Sequence, residues 1–152
     1  MEIPQYVTTT EVRRVCRELG LRDWSRLKTP RVSPKEAAAV QRLIGGEATS
    51  VSAEVFRQGL QVELEHGLTF DDTNVTNNHP LLTGKIVCAH LKESLDYYER
   101  LEIAELEGDL LKAFKARDLE KATGIYQKLG PARQRLAQAE ARQLLTELSH
   151  QP

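Results

Sequence analysis

The chain has 152 residues, of which 40% are hydrophobic and 28% are charged, so it can bury one domain core. A formal net charge of −1 gives no overall positive field for nucleic acid or an anionic membrane. The apolar runs are too short to span a bilayer, and the first residues lack a secretory signal pattern. We therefore expect a single cytoplasmic domain over residues 1–152, with neither nucleic acid nor a membrane as its partner.

Capping residues mark three helices in the first half of the chain. A serine or threonine before an apolar-periodic segment can accept hydrogen bonds from the first free helix amides. The predicted N-caps are Thr8, Ser33 and Ser52. Glycine closes helices because it adopts the left-handed conformation without steric cost. The predicted ends are Gly20, Gly45-Gly46 and Gly67. The polar segment that follows, residues 67–79, is expected to be a turn-rich connector with Asx hydrogen bonds.

The second half of the chain predicts longer helices. Apolar residues recur at helical spacing over residues 85–114, which predicts one long helix with Gly108 as its point of kinking or interruption. Asp118 can cap a further helix, and Gly130-Pro131 divides residues 118–149 into a helical hairpin. No run of alternating apolar residues indicates a strand. The predicted fold class is all-α: a helical bundle of five or six helices with a long central helix and a C-terminal helical hairpin.

Two pairs of residues on predicted helices indicate a metal site. Glu63 and His66 are three residues apart, and so are His90 and Glu93, so each pair projects from one helix face. Carboxylate and imidazole groups on facing helices build metal sites in helical bundles, and these ligands suit iron, manganese or zinc. Gly59 on the Glu63 face would allow close helix packing, and Tyr97 continues the His90 face as a hydrogen-bond donor.

The same residues support a second interpretation, in which the faces of ELEHG and HLKE form a buried polar network in a non-catalytic interaction or scaffold protein. In both interpretations we expect a homodimer, because one chain supplies ligands for at most one full metal position and the C-terminal hairpin needs a surface to dock on. The hairpin would hold the second copy or another protein. An enzyme is less favoured, because the chain has no Gly-rich phosphate loop and no nucleophile elbow. Cys16 and Cys88 are expected to be free thiols.

Four stretches carry a resemblance to a known family. They are VELEHG (62–67), NVT (74–76), TGKI (83–86) and HLKESLDYYERLE (90–102). In this order they resemble a small bacterial and phage family of unknown function, over about residues 52–105. The resemblance implies no activity that can be transferred to this chain. A fainter similarity to ferritin-like carboxylate proteins rests only on the four metal-site residues, and a second Glu-x-x-His motif is missing.

Overall fold

The computed structural model describes residues 7–149, except for the side chains of residues 147 and 149. It contains six α-helices and, within this described range, no strand, which confirms the all-α prediction. The helices are α1 (Thr9–Glu18), α2 (Pro34–Ile44), α3 (Ala53–Thr69), α4 (Pro80–Glu93), α5 (Tyr97–Lys115) and α6 (Leu119–Ser149). None of the helices in the described range combines the length and the apolar content needed to cross a bilayer.

The chain divides into two compact units, Met1–Leu95 and Asp96–Pro152. The first unit contains α1 to α4, joined by short 3₁₀ turns, and the second contains α5 and α6. The expectation of a single domain over residues 1–152 stays a prediction.

The three predicted N-caps are confirmed. The side chains of Thr8, Ser33 and Ser52 each accept a hydrogen bond from the backbone N–H three residues later. Ser33 also forms a full capping box, because the Glu36 carboxylate accepts from the Ser33 N–H. Two of the predicted ends, Gly20 and Gly45, close α1 and α2 with positive φ angles. These local signals fix where α1, α2 and α3 begin.

A buried carboxylate holds the first unit together. Glu36 is 5% exposed and accepts hydrogen bonds from the Arg22 guanidinium at 2.8 and 2.9 Å and from the Trp24 indole at 3.3 Å. Burial alone would raise the pKa of Glu36, but the hydrogen bonds from Arg22, Ser33 and Trp24 outweigh it and lower this pKa to about 2. Glu36 therefore ties the segment between α1 and α2, including the fully buried Trp24, to the first turn of α2.

The core of the first unit forms where α2, α3 and α4 pack against one another. Its largest buried apolar side chains on these helices are Val40, Phe56, Leu60, Leu64 and Leu91. Gly84 brings α4 close to α2, because an added Cβ there would lie 2.8 Å from Val40 Cγ1 and 2.9 Å from Ile44 Cγ1. Gly59 is also buried on α3, as its predicted position in a helix contact requires.

The prediction of one long helix over residues 85–114 is wrong, because α4 ends at Glu93 and α5 begins at Tyr97. Ser94 is extended, with φ −160° and ψ 134°. Serine and aspartate favour helix ends because their side chains compete for backbone hydrogen bonds. Asp96 is 2% exposed, and its carboxylate accepts two 2.9 Å hydrogen bonds from Arg100 in the first turn of α5. Gly108, in contrast, lies inside α5 and does not interrupt it.

A C-terminal helical hairpin is present, but its bounds differ from the prediction. Residues 119–149 form one continuous helix of 31 residues with Pro131 in its interior. Proline normally clashes with the Cβ of the preceding residue in a helix, and Gly130 has no Cβ. The hairpin is therefore made by α5 and α6. The turn between them places Arg117 at φ 57°, with hydrogen bonds from Arg117 N to Phe114 O and from Asp118 N to Ala113 O.

The seam of this hairpin follows a heptad pattern. On α6 the inward side chains recur at spacings of three and four: Ala122, Ile125, Leu129, Ala132, Leu136 and Ala139. Opposite them on α5 are Leu106, Leu110 and Ala113. Ion pairs flank the seam: Arg100–Glu140 at 2.7 Å, Glu107–Arg133 at 2.8 Å and Glu102–Arg135 at 2.6 Å. Their numbering runs in opposite directions on the two helices, as an antiparallel coiled coil requires.

We expect Glu36→Gln to lower the free energy of unfolding of the protein by about 2–3 kcal/mol at pH 7, from the size of its pKa shift. Because the folded pKa is below the unfolded value, this stabilisation is complete above about pH 4.5 and is lost as the pH falls toward 2. Urea denaturation of both proteins at pH 7 and pH 3 measures it. The matched control is Glu54→Gln on exposed Glu54, with an expected change within about 0.5 kcal/mol. Equal losses in both variants would contradict the anchoring role.

A second test concerns the approach of α4 to α2. Gly84→Ala adds a Cβ that displaces Val40 and Ile44, and overpacking of this kind costs about 1–3 kcal/mol. Alanine favours a helix over glycine by about 1 kcal/mol, so we expect a net loss of about 1 kcal/mol. Gly108→Ala is the control, because no atom lies within 4 Å of its added Cβ and the same propensity should stabilise α5. Thermal denaturation measures the melting temperature of each variant. If both variants melt at a higher temperature than the wild-type protein, Gly84 is not a packing contact.

Candidate functional site

Glu63 lies at the centre of a polar cluster between α3 and α4. Its side chain is 12% exposed. One carboxylate oxygen, Oε1, lies 3.5 Å from His90 Nε2 on α4, and the other, Oε2, lies 3.9 Å from His66 Nδ1 on α3. The side chain of His90 is 28% exposed and that of His66 is 56% exposed. The structure therefore brings together three of the four predicted metal ligands, and one carboxylate joins the two helices.

The remaining predicted residues lie apart from this cluster. Glu93 is exposed near the end of α4 and forms no ion pair within the described range. Tyr97 does not continue the His90 helix face as expected, because Ser94 leaves the helical conformation between them. Across residues 7–149, no three or more histidine, cysteine, aspartate or glutamate side chains are grouped closely enough to hold a metal ion. The metal site stays a prediction, and its geometry is limited to Glu63 and the two histidines.

Gly67 of ELEHG has a different role from the predicted helix end. The helix α3 continues to Thr69, and Gly67 lies inside it. An added Cβ at Gly67 would lie 2.5 Å from Asn78 Oδ1 and 3.0 Å from Asn74 Nδ2, so only glycine leaves room for these side chains. Asn74 Nδ2 donates to the Gly67 carbonyl at 2.9 Å and to Asn78 Oδ1 at 3.0 Å. The connector after α3 is therefore packed back onto the helix.

The connector itself matches the predicted Asx-type hydrogen bonding. The Thr76 hydroxyl donates to Asn74 Oδ1 at 3.3 Å and accepts from Asn78 N at 3.2 Å. Asn77 and Asn78 have φ angles of 48° and 60°, which asparagine tolerates better than most residues. The Asn77 side chain donates to the carbonyl of Val7, which attaches the connector to the segment before α1. The NVT stretch is thus a structural element of the connector.

His79 is a helix cap that the sequence analysis missed. It is 8% exposed, and its Nδ1 accepts from the backbone N–H groups of Leu81 and Leu82 at the start of α4. Burial lowers its pKa, which favours the neutral imidazole that this acceptor role requires. Histidine before proline is not a usual capping signal, although Pro80 at the first helical position is.

A known protein family matches the part of the chain that contains the Glu63 cluster and the connector. A sequence profile described as a protein of unknown function, DUF5661, matches residues 12–107. The chain belongs to this family. The resemblance found from the sequence is confirmed as one to an uncharacterised family, but its extent is corrected, since the match includes α1 and α2 as well as the stretch from 52 to 105. No curated protein and no solved structure gives a significant match to the chain.

The helix α6 lies outside the residues matched by the DUF5661 profile and has an unusual exposed face. Thirteen exposed positions lie away from the seam, and only the first of them is charged. They are Glu120, Thr123, Gly124, Gln127, Gly130, Pro131, Gln134, Ala137, Gln138, Ala141, Leu144, Leu145 and Leu148. We call these positions the outer face of α6. The other described charges on α6 are beside the seam, on Lys121, Lys128, Arg133, Arg135, Glu140 and Arg142.

Such a surface is not typical of a solvent-exposed helix, whose outward side normally carries charged residues. Leu144, Leu145 and Leu148 are 60–67% exposed on this face. The exposed positions of α5 away from its seam are mixed: Glu105, Lys112 and Lys115 are charged, whereas Leu111 and Phe114 are apolar and 55% and 56% exposed. The outer face of α6 is therefore a second candidate functional surface, in the second unit.

The two cysteines are free thiols, as predicted, but neither forms a catalytic arrangement. Cys16 is 1% exposed, and burial raises the pKa of its thiol, which opposes the reactive thiolate form. Cys88 is half-buried and its Sγ lies 3.9 Å from a carboxylate oxygen of Glu47.

Proposed function

We propose that this protein is a non-catalytic, cytoplasmic interaction protein that binds a helical partner through the outer face of α6. The observation that supports this most directly is the absence of charge from twelve of the thirteen exposed positions of that face. A surface of this length without charge is favourable for contact with another protein, because burying it strips few charged groups of water. The three exposed leucines at its end supply apolar area for such a contact.

The polar cluster around Glu63 in the first unit supports the non-catalytic part of this proposal. Glu63 lies between two imidazoles, and its carboxylate oxygens are 3.9 Å from His66 Nδ1 on α3 and 3.5 Å from His90 Nε2 on α4. In this interpretation the cluster fixes α3 against α4 and carries out no reaction. The buried Glu36 and its partners fix α1 and α2 in the same way. The first unit would then serve as a rigid body, and the hairpin would supply the binding surface.

A photocrosslinking amino acid at Gln138 tests the proposed surface in cells that express the protein. Gln138 is exposed on the outer face, so illumination should give defined adducts on a denaturing gel. The same amino acid at Lys115, exposed on the outward side of α5, is the matched control and should give none. Equal adduct yields at both positions, or none at either, would contradict the proposal.

Metal binding is a second candidate function, favoured by the position of Glu63 between His66 and His90. Two donors on one tetrahedral zinc ion are about 3.3 Å apart, given metal–ligand distances of about 2.0 Å. The observed separations of 3.5 and 3.9 Å are close to this value. A bound ion would need the exposed His66 side chain to move, because the three groups are not close enough to hold one in the described part of the chain. Zinc, iron and manganese all accept this ligand set.

Zinc titration followed by thermal denaturation tests the metal site. If zinc binds only the folded protein, it should raise the melting temperature, and at 100 times its dissociation constant it adds about 2.7 kcal/mol. His66→Gln, His90→Gln and Glu63→Gln should each remove the shift. Glu65→Gln, one residue along α3 and exposed, should keep it. A wild-type protein without a zinc-dependent shift, or a Glu63→Gln variant with the full shift, would reject metal binding.

A further inference from the structure

We infer that the partner on the outer face of α6 is a second copy of α6, packed antiparallel about Gln134. This inference rests on the proposed interaction function and names its partner. Gln134 lies halfway along the face, between Glu120 at one end and Leu148 at the other. A two-fold axis there makes the interface isologous, so that each residue and its counterpart exchange the same contacts.

The distribution of side-chain size along the face supports an antiparallel copy. The three leucines, Leu144, Leu145 and Leu148, are at one end, whereas Thr123 and Gly124 near the other end are small. With Gln134 on the axis, Leu144 of one protomer lies opposite Gly124 of its partner, and Leu145 lies opposite Thr123. No atom lies within 4 Å of an added Cβ at Gly124 or Gly130, so both glycines are open to an incoming helix. Leu144 and Leu145 therefore meet small residues at both ends, while the same axis places Leu148 opposite Glu120 of the partner protomer.

The charge distribution supports the same arrangement. A strongly charged partner would find one charge, Glu120, to pair with on the outer face, whereas a second copy is equally uncharged. A parallel copy would bring two Glu120 carboxylates together and leave Thr123 and Gly124 facing their own counterparts. The antiparallel copy separates the two Glu120 residues by about 42 Å, from 28 residues at 1.5 Å each. It also opposes the helix dipoles.

The size of the face indicates a reversible dimer. A contact of about 42 Å along helices of about 10 Å diameter covers roughly 400 Å² on each protomer. The total of about 800 Å² is below the roughly 1,200 Å² at which stable specific interfaces begin, which indicates a weak and transient contact. We therefore expect a dissociation constant on the order of 10 μM, and a monomer in dilute solution.

Sedimentation equilibrium on the full chain, at concentrations around the expected dissociation constant, measures whether the protein dimerises. We expect a monomer–dimer equilibrium that Leu145→Glu weakens at least about tenfold. Leu111→Glu is the matched control, because Leu111 is 55% exposed on α5, outside the face, and should leave the equilibrium unchanged. Circular dichroism checks that both variants keep the helical fold. A protein that stays monomeric at about 1 mM, or a dimer insensitive to Leu145→Glu, overturns the inference.

Crosslinking with a short bis-maleimide gives the orientation. In a Cys88→Ser background, where the remaining Cys16 is buried, Gln134→Cys should crosslink to itself and Glu120→Cys should not. Crosslinking at both positions indicates a parallel dimer and overturns the antiparallel arrangement.

The photocrosslinked adducts from Gln138 separate this inference from the proposed function. Adducts of twice the chain mass support a second copy, whereas adducts of another mass keep the interaction function and overturn the identity of the partner.

Discussion

The first unit depends on one buried carboxylate, that of Glu36. Its oxygens accept hydrogen bonds from the Arg22 side chain, the Trp24 indole and the Ser33 backbone, so the segment between α1 and α2 converges on one charge. A buried carboxylate without these donors would cost several kcal/mol, and with them its ionised form is favoured over the protonated one. The charge fixes Trp24 in the core and sets the first turn of α2. The packing of α3 and α4 against α2 then follows from apolar contacts.

Local rules on single residues predicted much of this unit. The N-caps Thr8, Ser33 and Ser52 were correct because each depends on one side chain and the next three amides. Gly67 was placed wrongly because its role depends on Asn74 and Asn78, which reach it only after the connector folds back. The end of α4 at Glu93 has a more local origin, since Ser94 is extended and Asp96 pairs with Arg100 four residues later. A tertiary contact therefore decided the role of Gly67, but not the end of α4.

The candidate metal site shows the same division between local and tertiary information. Spacing of three residues correctly placed Glu63 and His66 on one side of α3, and the packing of α4 brought His90 to the same carboxylate. The spacing alone also paired His90 with Glu93, but Glu93 is exposed at the last turn of α4 and lies outside the cluster. Residues three apart share a helix face only in part, since three residues turn the helix by about 300°. Near the edge of a helix–helix contact, that difference separates a buried position from a solvated one.

The hairpin shows how one heptad pattern can define two surfaces. The spacing of Ala122, Ile125, Leu129 and their successors directs one side of α6 toward α5. The ion pairs beside this seam use three of its charged residues, Arg133, Arg135 and Glu140. The outer face is then left with glycine, alanine, glutamine and leucine. Uncharged small residues permit close approach of another helix, but they contribute little to the stability of an isolated hairpin. Glycine and proline in the middle of α6 even reduce its helix propensity. The outer face thus carries residues of low helix propensity, and the charged residues lie beside the seam. This distribution favours contact with another helix over contact with water.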